Sequence, residues 1–216
     1  MKVDNLIFDL DGTLIDSFPG IQYAIKEALK ITLPGRPIPN LRPLIGPPIR
    51  EIFKKVLEDA APDLINELER QFRFVYDNIG WRKSIAYEGL SETLDQLTKL
   101  EVTNFIVTNK PILSTSKILF RLGINQYFRE FISPDVREPI FNSKVAMIAY
   151  LLKKYSLDKK TTVYVGDSED DCLAAKKCHV KFVAIAYGYG NVLARKQSKK
   201  NILVSKFPEI LNLINE

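Results

Sequence analysis

The sequence predicts an α/β protein, a parallel-sheet core carrying an inserted block of helices, and three observations predict it. From about residue 84 onward, short apolar runs alternate with segments of helical period. A run of the same strand-like kind opens the chain at Val3 to Phe8. Between them, residues from about 17 to 82 read as helices and loops with no clear strand. The expected division is therefore a core at 1–15 and 84–216 with a helical insert at 16–83.

Each element has its own signal. The opening run includes Leu6 and Ile7 and stops at acidic and Gly residues, as a buried parallel strand does. Ile21, Ala24, Ile25, Ala28 and Leu29 then mark one face of a helix, with Asp16 and Ser17 at its start and Ser17 as N-cap. Pro34, Pro37, Pro39, Pro43, Pro47 and Pro48 exclude continuous helix or central strand. Helical spacing resumes at Ile49, Ile52, Phe53, Val56 and Leu57, and again at Leu64, Ile65, Leu68, Phe72, Val75 and Ile79. A stripe of Leu90, Leu94, Leu97 and Leu100 precedes a strand at Val102 to Val107. Ile118, Leu119 and Leu122 follow on a helix closed by Gly123, then a short strand near Phe128 to Ile132. A helix runs from after Asn142 to about Tyr155, and Thr161 to Val165 is a strand ending at Gly166-Asp167. A short helix carries Leu173, Ala174 and Ala175, with His179 at its C-cap, because His tolerates the left-handed conformation better than most side chains. Lys181 to Ala186 and Ile202 to Val204 are the last strands, and Phe207, Ile210, Leu211 and Ile214 predict a closing helix.

Composition narrows the chemistry. At 216 residues the chain suits one domain with a smaller insert and can bury a core without disulfides or a structural metal. Its longest apolar run, Val145 to Leu152, cannot span a bilayer, and Asp4, Asp9 and Asp11 interrupt any secretory signal. Cys172 and Cys178 are the only cysteines, which suits helix packing in a reducing cytoplasm. His179 is the only histidine, which argues against multi-imidazole metal sites and a Ser-His-Asp triad. Lys and Arg number 31 against 26 Asp and Glu, a formal charge of +5. Much of it falls in Arg195-Lys196-Gln197-Ser198-Lys199-Lys200, read as a solvated loop without the aromatic residues of a single-strand binder. No nucleic-acid or membrane partner is expected, and a monomer and a homodimer both stay open.

Ligands of such sheets gather outside the carboxyl ends of the strands. Three strand ends carry polar residues: Asp9 to Thr13, Thr108-Asn109-Lys110, and Gly166 to Asp171. Carboxylates converging there repel, by roughly 4 kcal/mol for a pair ~4 Å apart at an effective dielectric of ~20. A divalent cation removes that cost, and hard oxygen donors favour Mg²⁺, which in turn favours a phosphate substrate. Asp9 would then be a carboxylate nucleophile, and Asp11 the acid that protonates the leaving alcohol and later activates water. Backbone amides around Asp11 and Gly12, with the Thr108 hydroxyl, would hold phosphoryl oxygens. Lys144 would neutralise charge, and Asp167 with Asp170 or Asp171 would hold or orient the metal. Against these stand plainer readings: a strand-end Asp-Gly turn at Asp11-Gly12, first-turn acidic residues at Glu169 and Asp170, and a turn at Tyr187-Gly188-Tyr189-Gly190.

These residues resemble the haloacid dehalogenase-like phosphohydrolase superfamily over the whole chain. Its four motifs stand in order as Asp9-x-Asp11-x-Thr13, Thr108-Asn109, a lysine best matched by Lys144, and Gly166-Asp167-x-x-x-Asp171. The resemblance implies a Rossmann-like core, a helical cap between the first and second motifs, and Mg²⁺ held by Asp9, Asp11 and Asp167 with Asp171 in support. Phosphate-binding positions carried over are Gly12, Thr108, Asn109 and Lys144. Leu44-Ile45-Gly46-Pro47-Pro48-Ile49-Arg50 and Thr108-Asn109-Lys110-Pro111 look like the phosphoglycolate phosphatase-like branch, with Arg50 as a cap candidate for substrate. Many members have Lys-Pro at the third motif, whereas Lys144 follows Asn142-Ser143, as in some branches. Lys110 and Arg137 are its rivals. The expected function is a Mg²⁺-dependent phosphatase for a small phosphomonoester, acting through an aspartyl-phosphate. Alternatives are an inorganic pyrophosphatase or nucleotidase of the same family, then a phosphosugar mutase or a non-catalytic phosphate-binding regulator.

Overall fold

The structure, a computed structural model, describes residues 2–45, 47–190 and 202–214. The Arg195 to Lys200 run, and Gly46 of the 44–50 loop, lie outside the described residues. The chain divides into two compact units, Met1–Asp16 with Ile85–Glu216, and Ser17–Ser84. These junctions fall one residue later than the expected 15/16 and 83/84. Asp16 belongs to the larger unit because it pairs with Ile85 in a short antiparallel ribbon, β2 (Ile15–Asp16) with β3 (Ile85–Ala86). Two residues per strand are too few for alternation to reveal, so the ribbon has no sequence signal.

The larger unit is built on a six-stranded parallel sheet. Its strands are β1 (Asn5–Phe8), β4 (Thr103–Val107), β5 (Glu130–Ile132), β6 (Thr162–Gly166), β7 (Lys181–Ile185) and β8 (Ile202–Val204). Their order is β5-β4-β1-β6-β7-β8, every pair parallel. The chain builds outward from β1 to β4 and β5, then crosses to β6 on the other side, so β1 lies at the switch point. Register aligns the strand ends: Phe8 pairs with Ile106 and with Val165. Asp9, Thr108 and Asp167 therefore leave the sheet within a residue of one another.

Side-chain alternation splits the strands between two faces. Ile7, Phe105, Val107, Tyr164 and Phe182 join a buried cluster with Met147, Ile148 and Leu151 of α6 (Lys144–Lys154) and Ala174 and Ala175 of α7 (Glu169–Cys178). Cys172 and Cys178 are free thiols buried in that cluster, in the packing role expected of them. Phe8 faces the other way and meets Phe128 and Phe207, with ring centroids 6.3 and 5.8 Å away. Two further helices, α4 (Leu90–Lys99) and α5 (Ile112–Arg121), belong to the same unit. The closing segment Phe207–Leu213 is a 3₁₀ helix, not the expected α-helix. Its buried residues Phe207, Ile210 and Leu213 recur every three positions, the 3₁₀ period.

The smaller unit holds α1 (Phe18–Thr32), α2 (Ile49–Val56) and α3 (Pro62–Asn78). Ala24 of α1 packs with Val75 and Tyr76 of α3, and Phe72 stacks on Tyr76 at 5.5 Å. Gly20 is required there, since a Cβ would collide with the Gly80 carbonyl. Ser17 stands at the N-cap of α1 with helical backbone angles (φ −92°, ψ −4°) and forms no side-chain cap bond, so the expected serine cap is absent. Among the described residues, no helix is long and apolar enough to cross a membrane.

Candidate active site

The turn after β1 is locked by its own backbone. The N–H groups of Thr13, Leu14 and Ile15 all donate to the Leu10 carbonyl, and the Gly12 N–H donates to the Ile15 carbonyl at 2.9 Å. Gly12 has φ +83°, and a Cβ there would collide with the Asp167 carboxylate, so only glycine fits. The Gly12 amide, expected to hold phosphate, is thus engaged within the turn by the Ile15 carbonyl. The N–H groups of Leu10 and Asp11 take no part in these turn bonds.

Across the strand ends lies a buried ionic network. Lys144 Nζ is 3.0 Å from Asp9 Oδ1 and 2.5 Å from Asp171 Oδ1. Lys144 opens α6, where Ser143 caps the helix by accepting the Ala146 N–H at 3.2 Å. A cation in a first turn opposes the helix dipole; here the two carboxylates offset it. The Tyr164 hydroxyl, 3.1 Å from both the Val107 carbonyl and Asp171 Oδ1, ties the network to the end of β4. Burial lowers the affinity of Lys144 for its proton, but the charges of Asp171 and Asp9 outweigh it and hold the ammonium well above its ordinary pKa. Asp9 lies well above the ordinary carboxylate range, chiefly through burial, against the pull of Lys144.

Asp171 is fully engaged. Oδ2 accepts the Ser168 N–H at 3.0 Å and its hydroxyl at 2.6 Å, while the Ser168 oxygen accepts the Asp171 N–H. This is a capping box at the start of α7. Asp167 accepts the N–H groups of Tyr189 and Gly190 on Oδ2, at 2.6 and 2.9 Å. Its pKa rises to about 7, because burial and the charge of Asp171 outweigh those two bonds. The Tyr187-to-Gly190 turn thus acts as the cradle of Asp167, and Tyr189 also donates its hydroxyl to Asp16 at 2.7 Å. Ligand oxygens of Asp9, Asp167 and Asp171 lie within 4.8 Å of one another, all buried.

The remaining candidates sort by position. Thr108 is buried and its oxygen accepts the Lys110 N–H at 3.2 Å, which leaves the hydroxyl hydrogen to point elsewhere. Asn109 is exposed at the strand end, and Asp170 is exposed on α7. Lys110 reaches Asp11, with Nζ 2.9 Å from Oδ1. Arg137 is exposed and lies over the Phe141 ring at 4.2 Å. Arg50, in the smaller unit, donates to Asn66 at 2.8 Å and pairs with Glu69 at 3.2 Å. Of the three rivals for the third motif, Lys144 is the one seen against Asp9, at 3.0 Å. Sequence reasoning missed the Tyr164 link, the Asp167 cradle and the capping box; only the last has a legible signal, Ser168 three residues before an acid.

Four carboxylates, Asp9, Asp11, Asp167 and Asp171, meet two ammonium groups, Lys110 and Lys144, a formal excess of two negative charges. That deficit and the oxygen-only donor set fit one hard divalent cation.

Comparison with known proteins shows the family. Residues 6–185 match the haloacid dehalogenase-like hydrolase family. A phosphoglycolate phosphatase of Pectobacterium atrosepticum is 31% identical over 220 residues, 98% of this chain and 92% of the relative. The crystal structure of a predicted phosphoglycolate phosphatase from Haemophilus somnus superposes with TM-score 0.85 at 28% identity, covering 99% and 98% of the two chains. A Clostridium difficile crystal structure gives TM-score 0.89 at 27% identity over 99% of each chain.

Proposed function

This chain belongs to the haloacid dehalogenase-like hydrolase family, in its phosphoglycolate phosphatase-like branch, and from that premise we propose a Mg²⁺-dependent phosphatase acting on a small phosphomonoester through an aspartyl-phosphate on Asp9. The observation that carries the proposal is the buried Lys144 bridge from Asp9 to Asp171, beside Asp167.

Asp9 accepts Lys144 on Oδ1, so Oδ2 is the oxygen that attacks phosphorus. As the new P–O bond forms, the bond to the leaving oxygen breaks, and Asp11 hands that oxygen its proton. Asp11 then takes a proton from water, which attacks the phosphorus and restores Asp9. The Thr108 hydroxyl and the N–H groups of Leu10 and Asp11 would hold non-bridging oxygens. Lys144 pulls the nucleophile toward its ionised form, against the burial that raises its pKa, and offsets charge on the phosphoryl group. A bound Mg²⁺ would be held by Asp9, the Asp11 carbonyl and Asp167, supplying charge compensation for the transferring group. Asp171 stays in support, since both its oxygens are already engaged. The helical unit would serve as the cap that excludes water and sorts substrates. Arg50 would have to leave Glu69 to contact one, at a cost of about 1 kcal/mol or less.

The test is phosphate release from a panel of small phosphoesters, with pyrophosphate included, with and without Mg²⁺. Wild type should release phosphate only with the cation, and Asp9→Asn should keep its circular dichroism while releasing none. Full activity in Asp9→Asn would sink the proposal.

A further inference from the structure

We propose that Lys110 determines specificity: its ammonium selects substrates whose leaving group carries a negative charge directly on, or one carbon from, the ester oxygen. The inference rests on the reading of Asp11 as proton donor.

The two buried ammonium groups are divided between the two ends of the reaction. Lys144 is committed to Asp9 and Asp171, on the nucleophile's side. Lys110 reaches Asp11, on the leaving group's side. Only 7% of the Lys110 side chain is exposed, against 24% for Asp11. Burying an ammonium is costly, and an apolar side chain of similar volume fills such a place at no such cost. A lysine held there therefore asks for a further electrostatic role.

Its backbone is also fixed. The Lys110 N–H donates to Thr108 Oγ1 at 3.2 Å, and its carbonyl accepts the Thr115 hydroxyl at 3.4 Å. Pro111 follows as the N-cap of α5. The residue that carries the ammonium is thus anchored to the same strand end that presents Thr108.

Distance then defines the ligand. A proton donor must come within ~2.6–3.2 Å of the oxygen it protonates. For a proton carried on Asp11 Oδ1, 2.9 Å from Lys110 Nζ, the ammonium lies within about 6 Å of the ester oxygen. A carboxylate one carbon beyond the ester oxygen, or a second phosphoryl group on it, falls inside this gap and accepts a charge-assisted hydrogen bond. A neutral alkyl group gains nothing there, and a charge several carbons farther out overshoots.

The experiment compares kcat/KM for 2-phosphoglycolate and ethyl phosphate, which share a two-carbon leaving group and differ in its charge. Wild type, Lys110→Met and Lys110→Arg are measured with saturating Mg²⁺. Wild type should favour phosphoglycolate by about 30-fold or more, and Lys110→Met should cut that ratio by at least about tenfold, with Lys110→Arg in between. A ratio unchanged in Lys110→Met, or a wild type active on both esters without preference, overturns this inference alone. A wild type that releases phosphate from neither overturns the phosphatase reading and this inference together.

Discussion

Lys144 shows what one residue contributes to this site. Its ammonium stands between two buried carboxylates, so removing it leaves their negative charge without its cation in a place largely shielded from water. Lys144→Met should destabilise the protein by roughly 3–5 kcal/mol at pH 8. The deficit should shrink at pH 5, where Asp9 takes up a proton more readily. Urea unfolding at the two pH values measures both, and an equal loss at each would contradict the account. On ethyl phosphate, Lys144→Ala should also cost far more activity than Lys110→Ala; the reverse order would reassign the third motif. At this scale the sequence was informative where chemistry restricts the residue type. Asp9, Asp11, Asp167 and Lys144, which the structure gathers at the strand ends, could be singled out because few side chains suit the chemistry proposed for them. Tyr164 could not, since a tyrosine in an apolar strand looks like core until its hydroxyl is seen beside Asp171. Gly12 was legible as a special position but not in its use: its amide closes the turn on Ile15.

Among the elements, α7 joins folding to the site most directly. Ser168 caps the helix and holds Asp171 through the same hydroxyl. Ser168→Ala should therefore cost about 1 kcal/mol in stability, as lost caps do, and lower turnover as Asp171 loosens its hold on Lys144. Thermal unfolding with parallel kinetics would show it; a stability loss with unchanged kcat would separate the cap from the site. The far end of α7 behaves as its sequence indicates, with His179 in the left-handed conformation (φ 59°, ψ 35°). Long elements with repeated apolar spacing were legible throughout, α1, α3, α4 and α6 among them. The misses are short: the β2–β3 ribbon, and the last segment, where Pro208 and a three-residue spacing favour 3₁₀ geometry over α.

For the whole molecule, parallel α/β architecture followed from strand and helix alternation, whereas strand order did not. It depends on which side of β1 the chain returns to, and that is settled by packing between segments far apart in sequence. The excess negative charge of the site has a consequence for the entire fold. Asp9 and Asp167 lie above the ordinary carboxylate range, Asp167 at about 7. The native state therefore binds protons that the unfolded chain has already released. Metal-free protein should lose stability as pH rises from about 4 to about 7, the reverse of a fold held by salt-bridged carboxylates of lowered pKa. Mg²⁺ should raise the melting temperature more at pH 8 than at pH 6, because ionised Asp167 binds it better. Calorimetry across that range with and without the cation checks both signs; a Mg²⁺ effect that does not grow with pH would contradict them.

The most direct measurement asks where the phosphoryl group goes. A ³²P-labelled phosphoester is mixed with wild type, Asp11→Asn and Asp9→Asn in the presence of Mg²⁺, and the reaction is quenched in acid within a turnover. The account predicts hydroxylamine-labile label on the chain, greatest in Asp11→Asn, mapping to the peptide that holds Asp9 and absent from Asp9→Asn. Label that persists in Asp9→Asn, or maps to another peptide, would contradict it.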